Sequence, residues 1–534
     1  MSENDRTLDP ADWESVRSVG HRMVDVLVDG LRDVRDSPAW TPMPPEVKAR
    51  FRAPAPERGL GLDAVWAELR RSVLPYRLGN VHPRFWARVM GTGTATGVLA
   101  ALAGAAMNNN LSGLESSAVY VEAQVVDWLK ALVGFPATAS GLLTSGCSLA
   151  NLVGIEVARD SAGAVKAEGL QSVRERLVGY ASGEAHSSIA RAFMVLGLGN
   201  AALRRIPVDS EMRMDLGALE RAIEADLRAG LRPFCVVGCA GTVNTGATDP
   251  LEALAEVARE RRLHFHVDGA FGAWARLSPR LAGQVRGLER ADSVALDLHK
   301  WGAVQYGVGC VVVRDAEAHR RAFQASAGYL APHPRGVSAA EYAAHQLGPE
   351  LSRGFRGLGP WMAFQEHGLE RLRAVVEKNV EQAARVAARV RDEPELELTA
   401  PAPLNVVTFR YRGRGMTDAQ LDELNAEVVM RIQESGVAVP STTRLKGRTV
   451  IRLAIVNHRT VDADLDLLVD AVLLTGRAIA AEGVWHHPRD TTRGHRPRVS
   501  KSARSQVPVR TEFSQVFDTF KPRLTGAVSR RPRA

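Results

Sequence analysis

The sequence predicts an α/β protein: a large mixed, mostly parallel sheet covered by helices on both faces, followed by a smaller α+β domain. Two observations lead there. From about Arg84 to Pro360 short β-rich runs alternate with helical ones, and the β-rich runs are almost wholly apolar, as strands covered on both faces must be. From about Trp361 the alternation gives way to one long helical stretch and a few strands.

Residues 1–85 read as a helical arm, with ESVRSVGHRMVDVLVDGLRDV and LDAVWAELRRSVL joined by the proline-rich TPMPPEVKARFRAPAPERG. Residues 86–360 form the large domain. There LLTSGCSLANLVGIEVARD runs from a short strand into a helix, RLVGYAS precedes SSIARAFMVLG, and ALRRIPVD precedes LGALERAIEADLRAG. PFCVVGCA then precedes LEALAEVARERR, and HFHVDGA, SVALDLH and GCVVVRD complete the sheet. Residues 361–483 hold FQEHGLERLRAVVEKNVEQAARVAARVRD, the strands LNVVTFRY and TVIRLAIV, and closing helices. Residues 484–534 form a tail rich in Pro, Ser and Arg and are read as a disordered extension.

A chain of 534 residues, 45% hydrophobic and 24% charged, can bury a large core. The opening MSENDRTLDPADWE has neither a basic n-region nor an apolar h-region, and the most apolar run, Gly97 to Met107, is too short to span a bilayer. A cytoplasmic protein without membrane partners is expected. The net charge of +8 suggests nucleic acid until it is located: twelve Lys and Arg against three acids after Val484 make +9, leaving −1 elsewhere. No nucleic-acid partner is therefore expected. Cys147, Cys235, Cys239 and Cys310 lack metal-site spacing, so they read as reduced structural thiols with no metal, and His264 and His266 as ordinary strand residues.

In open α/β sheets ligands gather at the carboxyl ends of strands. Four polar features lie there. Gly146, Cys147 and Ser148 start a helix, where N–H groups and the helix dipole favour phosphate. His186 follows RLVGYAS, Asp268 follows HFHV with the small Gly269 and Ala270 behind it, and His299 and Lys300 follow SVALDL. Singly, the first two read sooner as a helix cap and a turn histidine, and the others equally as a capping acid and a snorkelling lysine. Jointly, a phosphate cradle, a stacking imidazole, a carboxylate and a desolvated amine are what pyridoxal 5'-phosphate requires. Lys300 would hold the aldehyde as a Schiff base, partly desolvated so as to act as an amine near neutral pH.

AHSSIARA, GTVNTGATDPL, HVDGAFGAW, LHKW and SRGFRGLGPW, with HPRFW and VVDWLKAL, make the chain resemble the group II pyridoxal-phosphate-dependent amino-acid decarboxylases, which include the aromatic-L-amino-acid decarboxylases. The resemblance runs from about Met23 to Glu482. It implies fold type I, the PLP-dependent transferase-like fold, in an obligate homodimer with active sites at the interface. It implies Lys300 as the Schiff-base lysine and Asp268 as partner of the pyridinium nitrogen. His186 and Ala270 would face the ring, with Gly146, Cys147, Ser148 and Thr242 holding the cofactor and His299 near the phosphate. Tyr329, in QASAGYLAPHPRG, would serve protonation after carbon dioxide leaves.

The implied activity is decarboxylation of an L-amino acid to its amine. Aldehyde synthesis, transamination and Cα–Cβ cleavage stand as alternatives, beside an idle scaffold or a tail-mediated nucleic-acid binder. His82, Arg88, Asn108, Asn110 and Arg356 are the candidate substrate contacts, Arg356 being preferred to Arg353 because Gly354 interrupts that motif. Arg88, Val89, Asn108 and Asn110 stand where aromatic-substrate members carry Ile, Phe and Tyr, so an aromatic substrate is not implied, and Arg88 admits an acidic or polar one. Val243 stands where a second threonine is common.

Overall fold

Seven strands make the principal sheet of the computed structural model, which describes residues 7–163, 165–324, 333–340 and 342–482. They are β1 (Ser140–Thr144), β2 (Leu177–Ser182), β3 (Leu203–Ile206), β4 (Arg232–Cys239), β5 (His264–Asp268), β6 (Ser293–Asp297) and β7 (Gly309–Val313). Their order is β1-β7-β6-β5-β4-β2-β3. Strands β3, β2, β4, β5 and β6 are parallel, and β7 runs antiparallel to both β1 and β6. Every residue of β2, β6 and β7 is buried, which is why these strands are continuous apolar runs rather than alternating ones.

The second sheet has the order β10-β11-β9-β8, from β8 (Leu396–Leu398), β9 (Val406–Tyr411), β10 (Ser441–Leu445) and β11 (Arg448–Ala454). All three of its pairings are antiparallel.

The helices begin with α1 (Trp13–Arg32), α2 (Pro45–Arg50) and α3 (Leu62–Ser72) of the arm, then α4 (Ala95–Met107) and α5 (Ser117–Val133). Around the large sheet lie α6 (Cys147–Ser161), α7 (Val165–Glu168), α8 (Ser187–Val195), α9 (Leu216–Arg228), α10 (Leu251–Arg261) and α11 (Ala316–Phe323). The last three are α12 (Leu358–Asp392), α13 (Asp418–Glu434) and α14 (Asp462–Glu482). Their ends are written in the sequence: Asp215 caps α9 through Ala218 N at 2.9 Å, and Thr417 with Gln420 closes a capping box on α13. Within α12 the turn at Gly368, with φ 66°, breaks the helix.

The main core packs α5, α10 and the start of α12 against one face of the large sheet, through Val126, Leu129, Leu254, Trp274, Trp301 and Phe364. This positions the strand ends. Asp268 pairs in register with Cys239 on one side and Ala295 on the other, so the polar residues after β4, β5 and β6 open at one edge. Tyr329 and the tail after Glu482 lie outside the described residues.

Candidate active site

A cavity of about 440 Å³ opens at that edge, lined by His186, Thr242, Asp268, Ala270, His299 and Lys300 together with Arg88, Tyr306 and Arg452. A second hollow of about 270 Å³, lined by Ser145, Gly146, Cys147 and Ser148 at the start of α6, shares His186, Asp268, Ala270, His299 and Lys300 with it. The four strand-end features expected from the sequence thus meet at one place.

Lys300 sits in the turn after β6, which is tied to the approach to β7 by Leu298 N donating to Val308 O at 3.0 Å. Gly91 packs against this turn so closely that a Cβ there would lie 1.8 Å from His299 O. Lys300 Nζ is 2.9 Å from Asp297 Oδ2, and the lysine side chain is only 20% exposed. Burial opposes its charge, but the carboxylate of Asp297, aided by Cys147 and Asp268, outweighs burial and holds the ammonium above its ordinary pKa. This corrects the expectation of an amine freed by desolvation: the counter-ion wins.

Asp268 is buried and accepts from Ala270 N at 3.1 Å and from Asn151 Nδ2 at 3.0 Å. Asn151 is the hub of the site. Its other Nδ2 hydrogen goes to Ser188 Oγ at 3.0 Å, and its Oδ1 accepts from His266 Nε2 at 2.9 Å. The donors fix the tautomer: with its Nε2 donating, His266 accepts on Nδ1 a hydrogen bond donated by the Ser293 hydroxyl at 2.8 Å. His266, read from the sequence as an ordinary strand residue, is therefore part of the support beneath Asp268.

His186 caps α8 by accepting Ser188 N on Nδ1 at 3.2 Å, and the Ser188 hydroxyl is 2.8 Å from the same nitrogen. With Nδ1 accepting, Nε2 carries the proton of the neutral ring. Burial, set against the attraction of Asp268, lowers the pKa of His186. His299 Nδ1 meets Val308 O at 2.9 Å, and its ring lies 4.4 Å from that of Tyr306. Thr242 is buried, with Oγ1 3.0 Å from Thr245 Oγ1.

At the start of α6, Cys147 N donates to Asp297 Oδ1 at 2.6 Å, so a carboxylate reaches the helix end where phosphate was expected. Cys147 is buried, and its Sγ is 3.5 Å from Asp268 Oδ1. All four cysteines are free and buried.

The substrate-side expectations divide. Arg88 lines the cavity, but His82, Asn108, Asn110 and Arg356 are absent from its wall. His82 is buried behind it, with Nε2 3.0 Å from Ser37 O and Nδ1 accepting Arg84 N, and burial followed by the charge of Arg84 pushes it down to about 4. It joins the arm to the body. Asn108 ends α4 in the left-handed conformation, and Asn110 Oδ1 accepts Arg353 N at 3.0 Å. Arg356 is held bidentately by Glu350 at 2.7 Å, whereas Arg353, which the sequence made secondary, is fully buried 2.7 Å from Glu122 Oε1.

Sequence reasoning missed Asn151, Ser188, Asp297, Tyr306 and Arg452. Two signals were available: a polar Asn151 on the apolar face of α6, and Asp297 three residues before Lys300.

An amine, a buried carboxylate with fixed donors, an imidazole and the small Ala270 around one cavity, with a helix start in the adjoining hollow, fit pyridoxal 5'-phosphate chemically. The fold and donor set define a pyridoxal-phosphate enzyme of fold type I. Residues 44–412 match the model of the pyridoxal-dependent decarboxylase conserved domain. An aromatic-L-amino-acid decarboxylase of Bacillus atrophaeus is 32% identical over 456 residues, 85% of this chain and 93% of that protein. A phenylacetaldehyde synthase of Arabidopsis thaliana is 28% identical over 462 residues, 84% of this chain and 93% of that protein. The crystal structure of Oryza sativa TDC with PLP and tryptamine superposes with a TM-score of 0.82 at 27% identity, covering 89% of this chain and 100% of that one. The chain belongs to the pyridoxal-dependent decarboxylase family, the pyridoxal-phosphate enzymes that decarboxylate amino acids.

Proposed function

We propose that Lys300 carries the cofactor, that Asp268 pairs with its ring nitrogen, and that His186 and Ala270 bracket its ring. Gly146, Cys147, Ser148 and Thr242, with His299 beside them, hold the rest of it. The observation that carries this reading is the hydrogen-bonded chain from His266 through Asn151 to Asp268 and, by way of Ser188, to His186, at the cavity that also receives Lys300.

When bound, pyridoxal phosphate supplies an aldehyde for imine formation and a ring that accepts the electron pair of the breaking Cα–carboxylate bond. The chain's residues do the rest. Asp268, fixed by Asn151 and Ala270, holds a negative charge where a cationic ring nitrogen needs one. His186, with Nδ1 occupied by Ser188, has Nε2 free to orient the substrate and to pass a proton. Asp297, 2.9 Å from Lys300 Nζ, holds that side chain at the cavity and favours its charged form, so attachment of the cofactor would require Lys300 to release a proton that Asp297 retains. Tyr329, outside the described residues, is proposed to protonate the product carbon with His186. The presence of both Tyr329 and His186 favours amine over aldehyde as the product.

A homodimer is the proposed assembly. Val24 and Val28 of α1 and Leu99, Leu102 and Met107 of α4 are exposed, and a second copy of the chain would cover such apolar faces. Asn108 and Asn110, at the end of α4, would then meet substrate only across that interface. The arm (1–85), large domain (86–360), small domain (361–483) and tail (484–534) are the proposed divisions. Four free buried thiols support a cytoplasmic setting, and no described helix is long and apolar enough to cross a membrane.

The test is product analysis of the cofactor-loaded protein across a panel of L-amino acids. Equal amounts of carbon dioxide and amine are expected. Aldehyde with peroxide, or an oxo acid without carbon dioxide, would overturn the reading.

A further inference from the structure

We propose that the amino acid decarboxylated here carries a second negative charge, on its side chain, and that Arg88 and Arg452 receive the substrate's two anionic groups. The proposal rests on the decarboxylase reading and names its substrate class: side chains ending in a carboxylate or a sulfinate.

The cavity wall is unbalanced in charge. Arg88, Arg452 and Lys300 face it against one carboxylate, Asp268, and the partner of Lys300, Asp297, belongs to the hollow at α6. Arg452, on β11, is only 5% exposed. Its Nη1 donates to Val243 O at 2.8 Å and its Nε to Ser441 Oγ at 3.4 Å, and among the described residues it has no carboxylate partner. Two other buried guanidiniums are neutralised, Arg353 by Glu122 and Arg410 by Asp418 and Asp422, whereas Arg84, which is absent from the cavity wall, shares with Arg452 the lack of an ion pair among the described residues. A cation taken from water without a counter-ion is costly, and a cavity-lining one is relieved when an anionic ligand arrives. Burial, then the charge of Arg88, brings Arg452 down to about 10, which places the two cations within electrostatic reach of each other.

Arg88 has its own peculiarity. Its φ of 55° lies in the left-handed region, which a side chain other than glycine adopts at a cost. Its N–H reaches Ser441 Oγ at 3.4 Å, the same hydroxyl that meets Arg452 Nε, so one serine joins the two arginine positions. Strain of this kind persists where the surrounding structure over-determines it, and here it accompanies a side chain on the cavity wall.

An α-amino acid brings one carboxylate, which occupies one guanidinium. The cofactor's phosphate does not use the other, because the hollow at Gly146, Cys147 and Ser148 includes neither Arg88 nor Arg452 in its wall. The spare cation meets the side chain. Arg88, exposed at the mouth while Lys300 is buried, is the one assigned to the distal anion. Planar guanidiniums recognise carboxylates in paired hydrogen bonds, and an uncharged side chain would leave this one unmatched.

The cofactor-loaded enzyme is offered L-aspartate against L-asparagine, L-glutamate against L-glutamine, L-cysteine sulfinate, L-phenylalanine and L-tryptophan. At least one acidic substrate should exceed its amide counterpart and both aromatic substrates in kcat/KM by roughly 10-fold or more, since only the acidic side chain makes a charge-assisted pair with the guanidinium. Arg88→Met should erase that advantage, and Arg88→Lys should restore part of it. An unchanged visible spectrum of the bound cofactor in both variants shows that the fold and cofactor site persist. Independently of turnover, calorimetric titration with glutarate against butyrate should show tighter binding of the dicarboxylate in the parent and not in Arg88→Met. A larger kcat/KM for tryptophan or phenylalanine than for every acidic substrate, or equal binding of glutarate and butyrate, would overturn the proposal while leaving decarboxylation intact. Carbon dioxide from none of the substrates, with glutarate still preferred, would instead sink the decarboxylase reading and keep the charge assignment.

Discussion

Replacing Asn151 by alanine removes a side chain that touches three members of the site. His266 Nε2 loses its acceptor at 2.9 Å, and Asp268 Oδ2 and Ser188 Oγ each lose a donor at 3.0 Å. Each buried group left unmatched costs about 1–3 kcal/mol, and water admitted to the vacated space recovers part of it, leaving a loss of roughly 3–6 kcal/mol. The second consequence is functional: Asp268 keeps the Ala270 N–H but loses its amide support, and Ser188 no longer has the contact that sets His186. Urea unfolding of the cofactor-free protein reads the first effect. Titration with pyridoxal phosphate, followed by visible absorbance, reads the second as weakened binding. A variant that unfolds within about 1 kcal/mol of the parent and binds the cofactor equally well would show that Asn151 does not couple these residues.

Three further outcomes are expected. Asp297→Asn removes the carboxylate that holds Lys300 above its ordinary pKa, so the pH at which cofactor attachment reaches half its maximal rate should move downward; an unmoved profile would refute the pairing. Arg353→Met leaves Glu122 buried without its counter-ion and should cost about 3–5 kcal/mol in urea unfolding, most of it regained in the double variant Glu122→Leu/Arg353→Met; a double variant no better than the single one would contradict the pairing. Burial is the main cause that lowers His82, His319 and His458 to about 4 and His266 to about 3, from the usual 6.5. Below pH 6.5 the unfolded chain takes up protons these folded rings refuse, so stability present above that pH is lost on acidification, by about 2 kcal/mol per ring at pH 5. Unfolding free energy that is flat between pH 7 and pH 5 would refute it.

The periodicity of the chain carried the large sheet because strands buried on both faces need a uniform apolar run, which SVALD and GCVVV display. The strand-end rule then located Lys300, Asp268 and His186, since parallel strands deliver their following residues to a common edge. Asn151 leaves a local mark, a polar residue on the apolar face of α6, but its partners His266 and Asp268 lie 115 and 117 positions later, and no local pattern names them. Arg452 escaped for a related reason: it reaches the cavity from the second sheet, whose placement depends on tertiary packing. Asp297 was in plain view inside the strand SVALD, where its apolar neighbours disguised it as an ordinary buried position. His82 and Arg356 are polar residues in suggestive motifs whose partners here, Ser37 and Glu350, are 45 and 6 positions away in the chain.

The central claim is that Lys300 binds pyridoxal phosphate and that the loaded protein decarboxylates an amino acid. Purified protein loaded with the cofactor should show a visible absorbance band that Lys300→Ala lacks, and it should release carbon dioxide from an L-amino acid in step with amine, an activity the variant loses. A band that persists unchanged in Lys300→Ala, or its absence from the parent, would contradict the account.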